Sequence, residues 1–204
     1  MMKRFRNLTG IQLSYIFAPV VLFGAVISAL LTHDRSWMGW HFSRLGEGGG
    51  VPPMFFNGGL IFGGLLMIAI GLKIKSILDK MSAKKKLHFD DRYSFLYLLV
   101  ILTGLCMIIV AFFPFDRFPV LHNTAGYGTL FSVLFLAYSS PKLLPIFSEK
   151  YHKYSKILFV SAAILYSGYF IIHFPSLLIV EFILFVLIYI WLLVFQRELY
   201  EKFN

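Results

Sequence analysis

The chain has 204 residues, of which 58% are apolar and only 14% charged, with a mean hydropathy of +0.76. Soluble domains carry about 25% charge and about 45–50% apolar residues, and disordered chains carry still fewer apolar groups, so both classes are excluded and an integral membrane protein remains. The lone Cys106 excludes an internal disulfide framework and a cysteine-based zinc site.

A membrane-crossing helix needs about 20 apolar residues. Six stretches approach or meet that length, at about 11–31, 54–72, 93–113, 121–138, 155–174 and 176–195. Helical periodicity is weak in all six, as expected where lipid or protein surrounds a helix on every side. The run at 11–31 is longer than the apolar core of a signal peptide, and no clear small-x-small cleavage site follows it, so it is expected to be a true span. Pro19 is expected to bend it. No linker separates domains and no internal repeat is convincing. The expected fold is all-α: one polytopic six-transmembrane-helix bundle over residues 1–204.

Lysine and arginine counts orient the bundle. The N-terminus, the second and fourth connections and the C-terminus hold 16 of the 19 cationic residues. The other side holds only Arg35, Arg44 and Arg117. Both termini are therefore expected in the cytoplasm, with the chain in the cell membrane. The net charge of +9 is concentrated on that one side and reads as a topology signal. It suits anionic lipid, whereas nucleic-acid binding does not follow from it.

Polar residues concentrate on the opposite side. The first outer connection, THDRSWMGWHFSRLGEGGGVPP, is long for a compact bundle. Its tryptophans favour an ordered segment at the headgroup layer. His33 and Asp34 end the first span, His122 and Asn123 begin the fourth, and His173 ends the fifth. Glu181 lies five residues beyond Ser176, roughly 7–8 Å into the sixth. A carboxylate at that depth needs a partner or a polar cavity and is a functional candidate by default. These groups are expected to surround one outer cavity, with Ser43 and Arg44 as its lid. Each also has a structural alternative: Glu181 pairing with an arginine, His33 and His122 bonding backbone at helix ends, Asp34 serving a turn. Gly58, Gly59, Gly63 and Gly64 are expected to permit close helix packing, and Cys106 to be inert packing.

Two chemistries suit the cluster. His33, His122 and His173, with Asp34 or Glu181, offer ligands for zinc and an open position for water, although no HExxH pair sits on one helix. Alternatively Arg35, Arg44 and Arg117 grip a lipid phosphate while the acids and histidines hydrogen-bond headgroup hydroxyls, with Ser43, Asn57 and Asn123 as further lipid-binding candidates.

The segment HFSRLGEGGGVPPMFFNGGLIFGG resembles the first outer loop and second span of the DRAM-like six-span family, which includes FRAG-type GPI-lipid remodelling factors. Ser43, Gly46, Pro52, Pro53, Phe56 and Gly59 carry the likeness. GLCMIIVAFFPFDRFPVLHNTAG resembles that family's third span and following V-H-D/N-x-G/A motif, through Gly104, Cys106, Met107, Ile109, Val110, Ala111, His122, Asn123 and Ala125. Phe113–Pro114, Asp116 and His122 are also similar to prokaryotic relatives whose domain has no assigned function. The motifs cover about a third of the chain. Asn123 departs from them, standing where many relatives have Asp, and the charges at 33–35 are additional. The resemblance implies a membrane-lipid role without a settled mechanism.

Three functions are therefore open. The first is a non-catalytic protein that binds or organises membrane lipid, with a membrane-protein partner or a second copy as company. The second is an outward-facing lipid hydrolase or acyltransferase using His122, His173, Glu181 and Asp34, with zinc as the one cofactor the ligands suggest. The third is a small transporter or proton relay through Glu181, which predicts helices broken near the bilayer midplane.

Overall fold

A computed structural model describes residues 8–33, 36–39, 41–83, 92–145, 147–172 and 176–202. Six long helices run through it: α1 (Gly10–Leu31), α2 (Val51–Ala83), α3 (Arg92–Phe112), α4 (Pro119–Leu143), α5 (Glu149–Ile172) and α6 (Leu177–Glu201). Two short 3-10 turns, Ser36–Gly39 and Phe42–Gly46, lie between α1 and α2. No strand occurs among the described residues. All helices except α5 are long and apolar enough to cross a membrane. Large apolar side chains cover the outside: Leu30 is 68% exposed, Ile164 65% and Ile171 77%. A patchwork of that extent marks a surface meant for lipid or for a partner.

The helices extend beyond the apolar stretches for local reasons. Thr9 and Gln12 form a reciprocal capping box that starts α1, which then continues through Pro19. Pro52 and Pro53 fall in the first turn of α2, where a missing backbone donor costs nothing because those N–H groups have no helical acceptor. Pro119 opens α4 in the same way, and Pro141 sits in its last turn. Ser148 accepts from the Tyr151 N–H (3.2 Å) and caps α5 well before its apolar stretch begins. The charged turns of α2, α5 and α6 are helical yet too polar for a hydropathy count to include.

Close backbone contact joins α1, α2 and α3. A Cβ added to Gly24 would lie 2.9 Å from the Cα of Gly59, and one on Gly64 would lie 2.6 Å from the Gly104 carbonyl oxygen. No side chain fits at these crossings, which is the packing use of small residues in lipid. The main core of Phe17, Ile70, Ile74, Val100, Trp191 and Phe195 lies between the helices.

The ends of the bundle are distinct. At one, Ser148 donates to Glu198 through both its N–H and its hydroxyl, and Tyr151 packs on Phe195 and Trp191. Gly10 lies against Gln196 there, so α1 starts where α6 finishes. At the other, Tyr169 packs near Leu177, so α5 runs antiparallel to α6 along its length. That second end carries the 36–50 segment.

Candidate functional site

The 36–50 segment is tied to four helices by hydrogen bonds whose partners are far apart in sequence. Ser28 of α1 donates to the Leu45 carbonyl (3.1 Å), and Asn57 of α2 donates to that of Gly46 (3.1 Å). Gly46 has no space for a Cβ, because Asn57 Oδ1 and the Phe56 ring stand against it. Ser176, which caps α6, donates to the Met38 carbonyl (2.9 Å). The Phe42 N–H donates to Glu181 Oε2 at 2.6 Å. The segment thus closes this end of the bundle as a folded plug.

Ser43 is at its centre. Ser43 Oγ lies 2.9 Å from His122 Nε2 and 2.8 Å from His41 Nδ1, while His122 Nδ1 lies 2.9 Å from the Phe113 carbonyl oxygen. A carbonyl only accepts, so Nδ1 of His122 carries a proton, and in the neutral ring Nε2 is then the acceptor. Ser43 therefore donates to His122, and having a single proton, it accepts from His41. The hydrogen bonds run one way, from His41 through Ser43 and His122 to Phe113. Phe115 packs edge-on against both imidazoles.

Burial lowers the His41 pKa below 6.5, with smaller contributions in the same direction from His122 and Arg44. The shift favours the neutral ring, which still donates to Ser43 through Nδ1–H. Burial likewise raises Glu47 above the ordinary carboxylate value; Asp116 adds to the rise and Arg44 opposes it. Glu47 Oε1 is buried with no hydrogen-bond partner among the described residues, 3.8 Å from His41 Nε2.

Below this network lies a cavity of about 250 Å³. Ser43, His122, Glu181, Thr103, Thr129 and Tyr166 supply its polar groups, and apolar side chains line the rest. Its wall follows α6 from Glu181 to Leu192, about 16 Å at 1.5 Å per residue. A larger open groove of about 1110 Å³ lies among α3, α4 and α5 and is lined almost wholly by apolar side chains. Leu130 and Tyr166 belong to both walls, so they divide the cavity from the groove.

The structure therefore brings together His122, Glu181 and Ser43. Asn57 holds the plug from outside the cavity lining, and Arg44 is half-buried beside His41 and Glu47. Arg117 and Asn123 are exposed and line no part of the cavity; Arg117 stands 3.9 Å from Asp116, which accepts from the Gly48 N–H (3.3 Å). His33 is exposed just past the end of α1. Asp34, Arg35 and His173 lie outside the described residues. Among those described, no three His, Cys, Asp or Glu side chains stand where they could hold a metal, and both nitrogens of His122 are engaged by Phe113 and Ser43. Cys106 is buried in α3 against Gly128.

His41 was not a sequence candidate. Its signal was the His-x-Ser spacing at 41–43, which acquires meaning only once the 3-10 turn aims both side chains at one point. No family model, curated protein or solved structure matches the chain.

Proposed function

We propose that the protein is a six-span membrane protein that binds lipid, with an apolar tail in the central cavity and a polar head at Ser43, His122 and Glu181. The observation that carries this reading is the cavity itself, elongated, apolar along its length and polar at one end. At roughly 30 Å³ per methylene-sized group, comparable to a water's share of the liquid, it has room for about eight such groups. Tails in the bilayer are already in an apolar medium, so burial alone gives little preference for the cavity. Selection falls to the polar end, where hydrogen bonds in a low dielectric discriminate strongly. The groove behind Leu130 and Tyr166 offers a lateral entrance from the bilayer.

Six crossings are supported by α5 lying alongside α6 with 24 residues, about 36 Å of helix. With six crossings both termini share one side, and the lysine-rich ends favour the cytoplasm for it, with the plug facing outward. In a Cys106→Ala background, Gly49→Cys is expected to react with an impermeant maleimide from outside intact cells and Lys153→Cys only after permeabilisation. The reverse pattern overturns the orientation.

Lipid binding is tested by mass spectrometry of lipid retained through purification. Gly126 lines the cavity, and a Cβ there would meet nothing within 4 Å. Gly126→Leu is expected to fill the space and reduce retained lipid at least severalfold, without loss of stability, because leucine is favoured over glycine in a helix by up to about 1 kcal/mol. Equal lipid retention in the two proteins overturns the reading.

A further inference from the structure

We infer that Ser43 is an acyl-accepting nucleophile with His122 as its general base, acting on the ester carbonyl of a lipid whose chain occupies the cavity. The inference rests on the lipid-binding reading and adds chemistry to it. Four observations point the same way. Ser43 Oγ and His122 Nε2 are at 2.9 Å, within the distance for proton transfer. The Phe113 carbonyl fixes the His122 tautomer, leaving a lone pair on the nitrogen that faces the hydroxyl. Both groups line the cavity, so a carbonyl at its polar end lies within reach. Finally, the backbone around Ser43 is fixed by Glu181 at Phe42 and by Ser28 at Leu45.

A hydroxyl whose only purpose was to close the plug would need one partner and no access to a cavity. Ser43 has an acceptor, a donor and an open face. As its proton moves to His122 Nε2, the His41 Nδ1–H at 2.8 Å stays hydrogen-bonded to the developing alkoxide. The new bond is Ser43 Oγ to the acyl carbon. The ester C–O bond breaks, and the proton on His122 passes to the departing alcohol oxygen. Water, or the hydroxyl of a second lipid, then gives its proton to His122 and bonds to the acyl carbon; the Ser43 Oγ–acyl bond breaks, and His122 returns that proton to Ser43 Oγ. Among the described residues Glu181 is the one carboxylate in the cavity wall.

The test begins with the unmodified protein in detergent, so folding is not in question. An alkyl fluorophosphonate is added and the adduct located by peptide mass spectrometry. Labelling on Ser43 is expected. His122→Gln should slow it at least 100-fold, the lower range of a general base's contribution. Absence of an adduct on Ser43, or an unchanged rate in His122→Gln, overturns the nucleophile. If Ser43 stays unlabelled while lipid is still retained, the catalytic inference fails and lipid binding stands. If no lipid is retained either, both fail.

Discussion

Glu181→Ala isolates what one buried carboxylate does for the plug. The Phe42 N–H donates to it at 2.6 Å, a hydrogen bond to a group whose oxygens only accept when ionised. A buried donor left without its acceptor costs about 1–3 kcal/mol, and the close Phe42 bond falls in the upper part of that range, about 1.5–3 kcal/mol. The segment keeps its ties through Ser28, Asn57 and Ser176, so the loss should appear as local opening. At 1.36 kcal/mol per decade, 1.5–3 kcal/mol corresponds to about 10- to 150-fold faster hydrogen exchange at Phe42. Glu181→Gln retains a neutral carbonyl acceptor and should fall between, near the roughly 1 kcal/mol of an uncharged bond. The assay is hydrogen–deuterium exchange with mass spectrometry on peptides covering 41–47, with peptides from α2 and α3 as internal reference. Unchanged exchange at Phe42, or equal acceleration throughout α2 and α3, would refute the reasoning: the first because the bond holds nothing, the second because the bundle rather than the plug has loosened.

Two further outcomes follow from the same geometry. His41 has its pKa depressed, so below about pH 6.5 the unfolded segment takes up a proton that the folded one resists, and stability falls as pH falls through that window. Glu47, raised above 4.5, has the opposite sign and loses stability as pH rises through its window. Protection of the 41–47 segment, taken relative to the base-catalysed intrinsic exchange rate at each pH, should therefore fall between pH 7.5 and 5.5, and fall less in His41→Asn; identical pH responses in the two proteins would contradict the assignment. Gly104→Leu should lower thermal stability in detergent, by about 1–3 kcal/mol for overpacking, because its Cβ would lie 2.5 Å from the Gly64 carbonyl oxygen; a melting temperature equal to the parent's would show that α2 and α3 can separate at no cost.

The sequence made the helices legible because hydrophobic length is additive along the chain, and the meeting of His122 with Glu181 legible because topology sends the ends of alternate spans to one side. Helices reach beyond the apolar stretches where a capping group, not hydropathy, decides their start: Ser148 and the paired prolines at 52–53 each begin a helix several residues before an apolar count does. Arg117 and Asn123 were legible as polar and near the site in sequence, yet their exposure depends on the rotation of α4 and its approach, which weak periodicity does not encode. His41 depended on a 3-10 turn four to five residues long, below the scale at which composition speaks.

The glycine crossings at Gly24–Gly59 and Gly64–Gly104 also divide the molecule mechanically. Where backbone rests on backbone, neither helix can slide or tilt without collision, so α1, α2 and α3 form a stiff jaw. α5 packs less extensively on its two neighbours. It is held through side chains such as Tyr166 and Leu165, which change rotamer at little expense. The looser flank of the bundle is therefore that of α5, opposite in character to the glycine-locked crossings of α1, α2 and α3.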